Sequence, residues 1–194
     1  MYTMNTEIQT QQAFRTIMRA MGYPGSIQRL GNPLHRRAGT ANLQLVAETL
    51  LDQDVTFCVV GDKGMCELEE ILHERTNSPL SEISLADLII VTSSSSRGKL
   101  LTAKTGTPEY PDRNATVLFS VETLADGSDR NFLIRLTGPG IQGEKYIKMK
   151  GLDYEELRHL SELNCGYPLG IDSIFVDQID RVMYVPRSAK IELK

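Results

Sequence analysis

The sequence predicts an α/β protein built on a mixed β-sheet, and three patterns support this prediction. Two short segments, 55–60 and 88–92, are apolar at nearly every position, as in strands that are covered on both faces. A segment with helical periodicity, 65–75, separates them, which favours a parallel crossover. After residue 114 the chain changes to short strands joined by turns. The sheet is therefore expected to be parallel early in the chain and antiparallel late.

The first helix is predicted from an apolar stripe. Phe14, Ile17, Met18 and Met21 are spaced i, i+3, i+4 and i+7, so they share one face of an amphipathic helix. The helix is predicted to end in the segment MGYPG, where Gly22 can adopt the left-handed conformation and the following proline cannot continue a helix.

A short strand (26–30) and a second helix are predicted next. Between them lies a loop in which His35, Arg36 and Arg37 concentrate positive charge, as solvated loops often do. Thr40 is the predicted N-cap of the second helix, which extends to about Leu51. Its apolar stripe consists of Leu43, Val46, Ala47 and Leu50.

The rest of the chain supplies the late strands. Residues 93–114 are rich in Ser, Gly, Thr and Pro and are predicted to form a long loop, a type of segment that is usually functional or mobile. The segments 115–123, 131–138 and 144–150 are predicted to form an antiparallel meander. A helix at 153–163 and two strands around a turn at 178–180 complete the pattern.

Composition excludes several classes of function. At 194 residues the chain has the length of one domain, 1–194, and its net charge of −4 supplies no basic field for a nucleic acid. Its apolar runs are too short to span a bilayer, and its first residues do not resemble a signal peptide, which predicts a cytoplasmic protein.

Cysteine and histidine do not indicate a metal site. The three cysteines are odd in number and lack C-x-x-C spacing, so they are expected to be reduced. Cys58 lies in an apolar strand and should be buried, whereas Cys165 lies in a turn and is the one expected to be accessible. Helical residues His73 and His159 have no metal-ligand partner at i+4 and are predicted to lie on the surface, as is His35.

One glycine motif resembles a dinucleotide-binding loop. Gly138, Gly140 and Gly143 have G-x-G-x-x-G spacing, but a strand-like segment follows them where such a loop requires a helix. Pro139 also removes a backbone N–H that an anion site could use. These residues are therefore predicted to form a turn.

The serine-rich segment SSSSRGKL (93–100) also resembles a phosphate loop, but only weakly. Leu100 occupies the position where an ATPase needs a Ser or Thr to bind magnesium. A solvated loop is the favoured interpretation, and an oxyanion bound by its amides and hydroxyls is the alternative.

Three corners combine proline or glycine with charge: 107–113, 167–172 and 185–188. Simple turns explain each of them. Asp172 and Arg187 are singled out because they lie at predicted strand ends, where open α/β sheets commonly bind ligands. No catalytic residue can be selected from the sequence chemistry.

Five segments, taken in order, resemble the PhnH family of phosphonate-metabolism proteins, the H subunit of the carbon-phosphorus lyase system. They are FRTIMRAMGYPG, GTPEYPDRNATVLF, LIRLTGPGI, NCGYPLGIDSIFV and VPRS. The resemblance extends from about Phe14 to Leu193. Ser188 departs from the Thr that many relatives carry, but it keeps the hydroxyl.

This resemblance implies a fold similar to that of the pyridoxal-phosphate-dependent transferases, a three-layer sandwich on a mixed sheet, without a pyridoxal-phosphate site and without any other cofactor. It also implies a homodimer that assembles with the G, I and J subunits, and a role in which the H subunit carries no assigned chemistry. The scattered cysteines agree with this, since they do not have the spacing of an iron-sulfur cluster.

Three functions therefore remain open. The first is a non-catalytic structural or assembly subunit of the lyase complex. The second is a subunit that binds a small phosphonate or nucleotide-derived anion and contributes directly to the transfer of phosphonate onto ribose. The third, ranked last, is an independent pyridoxal-phosphate enzyme. The candidate anion-binding or interface residues are Arg187, Asp172, Arg15, Glu109 and Arg113.

Overall fold

The computed structural model describes residues 4–31, 40–61, 65–127 and 134–193. The charged loop predicted around His35 lies outside them. The helices are α1 (Met4–Gly22), α2 (Ala41–Leu50), α3 (Met65–Thr76) and α4 (Tyr154–Leu163), with a short 3-10 helix at Lys99–Thr102. The strands are β1 (Ile27–Arg29), β2 (Phe57–Val60), β3 (Leu88–Val91), β4 (Thr116–Val121), β5 (Thr123–Asp126), β6 (Ile134–Thr137), β7 (Lys145–Lys150), β8 (Asp172–Asp177), β9 (Arg181–Val185) and β10 (Lys190–Leu193).

Six strands form a mixed sheet in the order β1-β9-β8-β4-β3-β2. Strands β2, β3, β4 and β8 are parallel neighbours, which confirms the predicted crossover between β2 and β3. Strand β9 is antiparallel to both β8 and β1, so β1 runs in the same direction as β8. We call the side of the sheet where β1, β2, β3, β4 and β8 begin its amino end, and the side where they finish its carboxyl end.

The predicted antiparallel meander is partly wrong. Strand β4 lies inside the mixed sheet, parallel to β3 and β8, and the chain leaves that sheet at Glu122. A separate antiparallel sheet has the order β10-β6-β7-β5. The hydrophobic pattern did not distinguish the two sheets, because β4 is covered on both faces. Its residues Val117, Leu118 and Phe119 are fully buried.

The core consists of two apolar clusters on opposite faces of the mixed sheet. Alternate residues of each strand contribute to opposite clusters, as the pleat requires. Phe57 and Ile90 join the cluster beneath α1, α2 and α3. Cys58 and Phe119 join the cluster beneath α4 and the smaller sheet, where Phe119 stacks on Phe175 with ring centroids 5.2 Å apart. Burial raises the pKa of the Cys58 thiol to about 12, with a smaller contribution from the nearby Glu69.

Helix α1 presents a different face to the core than its stripe indicates. Of the four predicted residues only Ile17 is buried, and it packs together with Ala13 and Ala20. The small alanines allow α1 to lie close to α2 and β9, while Phe14, Met18 and Met21 remain about half exposed. The amphipathic helix is thus confirmed, but its apolar stripe is divided between core and solvent.

Two details of helix capping also differ from the prediction. Helix α1 ends at Gly22 as predicted, but the left-handed backbone occurs at Gly25, where φ is 72°. Thr40 occupies the N-cap position of α2 without a side-chain capping bond, and α2 extends to Leu50.

The glycines of the G-x-G-x-x-G motif form the turn between β6 and β7, as predicted. Gly138 also permits a close approach of two chain segments. A Cβ atom there would lie 3.0 Å from the carbonyl oxygen of Ser188, and φ is 140°. This motif therefore serves packing between the β6-β7 hairpin and the segment before β10.

Candidate functional site

A cleft of about 270 Å³ opens at the amino end of the mixed sheet. Its apolar wall comes from the end of α1, the end of α2 and the starts of the central strands. The residues of this wall are Met21, Leu50, Val55, Leu88 and Ile174. Its polar floor consists of Asp87, Asn114, Asp172 and Tyr184. We call this site the amino-end cleft.

Asp172, the first residue of β8, organises one half of the floor. Its Oδ1 accepts the backbone N–H of Arg187 at 2.9 Å, and its Oδ2 accepts Nδ2 of Asn114 at 3.1 Å. The guanidinium Nη1 of Arg187 lies 3.8 Å from Oδ2. Burial and the nearby Asp172 carboxylate together raise the pKa of Tyr184. Tyr184 is therefore neutral in the floor.

Asp87, which directly precedes β3, organises the other half. Its Oδ2 accepts the backbone N–H of Thr56 at 2.9 Å and the Thr56 hydroxyl at 2.6 Å. Its Oδ1 pairs closely with the ammonium group of Lys104. Partial burial raises the pKa of Asp87, but the bonds from Lys104 and Thr56 outweigh burial and hold this pKa below its ordinary value of 3.8. Asp87 is therefore a carboxylate at neutral pH.

Two of the charged corners, 167–172 and 185–188, meet beside this cleft. The backbone N–H of Gly170 donates to the carbonyl of Thr105 at 3.0 Å, which joins the corner before β8 to the loop before β4. Gly170 has φ of 140°, and a Cβ atom there would overlap Oδ1 of Asn164 and lie 3.2 Å from Cβ of Arg187. Only glycine allows the segments before β8 and after β9 to approach so closely.

The structure separates the candidate residues into two groups. Asp172 and Arg187 are brought together, whereas Arg15 and Glu109 are exposed and form no hydrogen bond or ion pair with the described residues. Arg113 stacks over the Tyr110 ring, with Cζ 4.4 Å from the ring centroid. The argument that selected Asp172 was wrong in one respect. Open α/β sheets bind ligands at the carboxyl ends of their strands, whereas Asp172 lies at the amino end of β8.

The serine-rich loop at the carboxyl end of β3 binds a carboxylate of the protein itself. Oε1 of Glu156, a fully buried residue of α4, accepts the backbone N–H of Ser96 at 2.8 Å. It also accepts the hydroxyls of Ser95 and Ser96, each at 3.0 Å. The oxyanion site that the sequence left open therefore exists, but Glu156 fills it.

His159 also lies beside Glu156, so its predicted surface position was wrong. Its side chain is 16% exposed, and its Nδ1 lies 3.7 Å from Oε1 of Glu156. His73 does lie on the surface as predicted, with Nδ1 2.8 Å from the carbonyl of Ser78. Within the described part of the chain, no three metal-ligating side chains come together.

The cysteines lie as predicted, with Cys58 buried and Cys165 exposed; Cys66 is exposed as well. In the described ranges no helix has the length and apolarity that a bilayer span requires.

The comparison with known families identifies the chain. Residues 3–192 match the model of a bacterial phosphonate metabolism protein family, PhnH. The chain belongs to the PhnH family. It is 32% identical over 189 residues to the putative C-P lyase subunit protein HtxG of Stutzerimonas stutzeri, covering 95% of this chain and 86% of that protein.

A second relative of this PhnH-family chain is the alpha-D-ribose 1-methylphosphonate 5-triphosphate synthase subunit PhnH of Rhizobium meliloti (strain 1021). The identity is 37% over 87 residues, which is 45% of this chain and 41% of that protein. The family membership inferred from five short segments is thus confirmed over nearly the whole chain.

Sequence reasoning missed four residues whose polar groups organise the two ends of the sheet. Asp87, Lys104 and Tyr184 belong to the amino-end cleft or its ion pair, and Glu156 fills the serine-rich loop. A signal existed for Glu156, since it lies four residues before the buried Leu160 and thus on the buried face of its helix. The sequence carries no comparable signal for Lys104, which meets Asp87 only through the tertiary fold.

Proposed function

We propose that this chain is a non-catalytic structural or assembly subunit of a carbon-phosphorus lyase complex that degrades organic phosphonates. The observation that carries the proposal is the match to the PhnH family over residues 3–192. The similarity to a C-P lyase subunit over 95% of the chain supports it further. The geometry agrees, because the serine-rich loop at the carboxyl end of the sheet binds the chain's own Glu156.

The proposal includes a specific assembly. The chain forms one domain, 1–194, that dimerises and joins the G, I and J subunits in the cytoplasm. Its architecture is a three-layer sandwich related to the pyridoxal-phosphate-dependent transferases. The mixed sheet supports this relation, with three helices on one face and with α4 and the smaller sheet on the other. Pyridoxal phosphate is not part of the proposal; the lysine beside the amino-end cleft, Lys104, is paired with Asp87.

Co-purification tests the proposal. An affinity-tagged chain is expressed together with the G, I and J subunits and isolated through its tag, and the mass of the product is measured. We expect all four proteins in one complex, and a strain lacking this chain should fail to grow on methylphosphonate as its phosphorus source. A chain that purifies alone, from a strain that grows normally without it, would contradict the proposal.

A second function, binding of a small phosphonate or nucleotide-derived anion for transfer of phosphonate onto ribose, is favoured by one observation. Nη1 of Arg187 is buried and has no hydrogen-bond partner among the described residues. Arg187 also lines a second cleft, of about 450 Å³, beside Cys165 and Tyr167. An anion there would satisfy the guanidinium.

The variant Arg187→Ala distinguishes the two functions. If Arg187 binds an anion, this variant should still assemble with its partners but lose growth on methylphosphonate. Arg158→Ala is the matched control, since Arg158 is exposed and forms an ion pair with Glu155 on its own helix. An Arg187→Ala protein that assembles and supports normal growth would remove the anion-binding function.

A further inference from the structure

Large exposed side chains are concentrated at the amino end of the mixed sheet. Tyr23, Leu85, Tyr110 and Tyr167 are each more than half exposed. Each lies on the segment that leads into one of the strands starting there, which are β1, β3, β4 and β8 respectively. Contiguous exposed apolar surface on a protein of this size marks an interaction site, and tyrosine is enriched where proteins bind one another.

Helix α1 extends this surface. Met21 lines the amino-end cleft, and Met18 and Phe14 follow it along the same exposed side of the helix at helical spacing. Methionine side chains are flexible and adapt readily to a partner surface. The exposed half of the α1 stripe therefore joins the surface around the cleft.

The charge of the cleft determines which group it can accept. The carboxylates of Asp87 and Asp172 line it, whereas Lys104 and Arg187 pair with them from outside the lining. A carboxylate has about four lone-pair positions. Asp87 uses three of them, for Lys104 and twice for Thr56. One position remains on Asp87 for an incoming donor.

Asp172 also keeps an acceptor position open. It accepts the backbone N–H of Arg187 and Nδ2 of Asn114, and the guanidinium of Arg187 lies near its Oδ2, which again leaves one of about four positions open. The floor therefore offers acceptors, while the wall is aliphatic. A lysine or arginine side chain matches both features, because its stem is apolar and its head is a cation that donates hydrogen bonds.

We propose that the amino end of the sheet is a docking surface for another protein chain, and that the amino-end cleft receives a lysine or arginine side chain of that chain. The aliphatic stem packs on Met21, Leu50 and Ile174, and the charged head donates to the free positions of Asp87 and Asp172. The exposed tyrosines at the same end of the sheet would add to the contact, since tyrosine is enriched in the hot spots of protein interfaces. The inference rests on the proposed function, in which the partner is a subunit of the lyase complex.

The exposed cysteines test the docking surface, because they lie at opposite ends of the sheet. Cys165 lies two residues before Tyr167, at the amino end, and Cys66 lies at the start of α3, which follows the carboxyl end of β2. A Cys66→Ser protein is labelled at Cys165 with a polyethylene glycol maleimide, and a Cys165→Ser protein is labelled at Cys66. Assembly with the G, I and J subunits is then measured by size-exclusion chromatography.

We expect the label on Cys165 to prevent assembly and the same label on Cys66 to leave it intact. Equal assembly of the two labelled proteins would overturn the docking surface. If the unlabelled chain itself fails to assemble, the subunit proposal is contradicted instead. Direct binding of a probe then tests whether the cleft accepts a cationic side chain.

The probe is n-butylguanidinium, which reproduces an arginine side chain, and binding to the isolated chain is followed by NMR. Binding is expected to be saturable, about tenfold weaker in Asp87→Asn, and unchanged in the control Glu155→Gln, an exposed carboxylate on α4. Met21→Ala, which changes only the wall, should also weaken it. Equal or tighter binding of n-butylphosphonate would overturn the cationic preference. If n-butylguanidinium binds saturably but the Cys165-labelled protein assembles normally, the cleft binds a free small cation and the docking proposal is overturned.

Discussion

The two ends of the mixed sheet use their polar groups in opposite ways. At the carboxyl end, Glu156 accepts three hydrogen bonds from the serine-rich loop. Asp177, which ends β8 and is buried, accepts the backbone N–H groups of Leu124, Ile179 and Arg181. At the amino end, the carboxylates of Asp87 and Asp172 line a cleft that opens to solvent.

This difference shows why the type of fold did not locate the site. Open α/β sheets bind ligands at the carboxyl end because loops and helix N-termini present backbone N–H groups there. In this chain Ser96 presents such groups, but Glu156 occupies them, so the position is closed to an external anion. The exposed aromatic surface and the open carboxylates lie at the opposite end. A site has to be argued from its own residues, since one fold supports many functions.

The strongest test of this comparison is Glu156→Ala. The substitution leaves the buried N–H and hydroxyl of Ser96 and the partly buried hydroxyl of Ser95 without their acceptor, and it removes a charge-assisted set of bonds. We expect the free energy of unfolding to fall by about 3 kcal/mol. Urea denaturation followed by circular dichroism measures this change.

Glu155→Ala is the matched control for Glu156→Ala. It removes the neighbouring glutamate, which is exposed and forms an ion pair with the exposed Arg158. Its effect on the free energy of unfolding should be below about 0.5 kcal/mol. If both variants lose the same small amount of unfolding free energy, the hydrogen bonds of Glu156 do not stabilise the serine-rich loop.

Gly170→Ala tests the packing of the amino end and is expected to have a smaller effect. The added methyl group would overlap Oδ1 of Asn164, whose side chain holds both the N–H and the carbonyl of Ile171, and the backbone is in the left-handed region. We expect a loss of about 2 kcal/mol in the free energy of unfolding. Gly166→Ala is the control, because a Cβ atom there meets nothing within 4 Å and should change stability little. Equal stability of the two variants would contradict the close packing of Gly170 against Asn164 and Arg187.

The sequence predicted the local elements better than their assembly. Strands β2 and β3 were predictable because continuous apolar residues require burial on both faces. The position of β4 was not, because adjacent strands separated only by Glu122 belong to different sheets, and no local pattern records which sheet a strand joins.

The same limit applies to the candidate site. Asp172 and Arg187 could be selected because each lies beside a corner that local residues define. Their partner groups could not, since Asn114 is 58 residues from Asp172 along the chain and is brought to it by the parallel pairing of β4 and β8. On α1, the stripe correctly indicated an amphipathic helix, but the alanines rather than Phe14 and Met18 determined which side closes on the sheet.

The smallest predicted effect concerns acid stability at the amino end. Because the pKa of Asp87 is lower in the folded protein than its ordinary value of 3.8, its charge stabilises the fold above that value. The contribution is lost as pH falls below 3.8, when the folded carboxylate gains a proton. Asp87 is 40% exposed, so solvent screening limits the effect to about 1 kcal/mol or less.

Asp87→Asn should therefore be less stable than the unmodified chain at pH 7, and the difference should shrink as pH falls from about 3.8 to 2.5. Thermal unfolding between pH 7 and pH 2.5 measures it. In a Lys104→Met background the difference at pH 7 should be smaller, because Lys104 supplies the strongest of the bonds that lower this pKa. An Asp87→Asn deficit that persists unchanged at pH 2.5 would mean that Asp87 acts through its shape and neutral hydrogen bonds. The amino-end cleft would then lack the charged acceptor at Asp87 on which its preference for a cation depends.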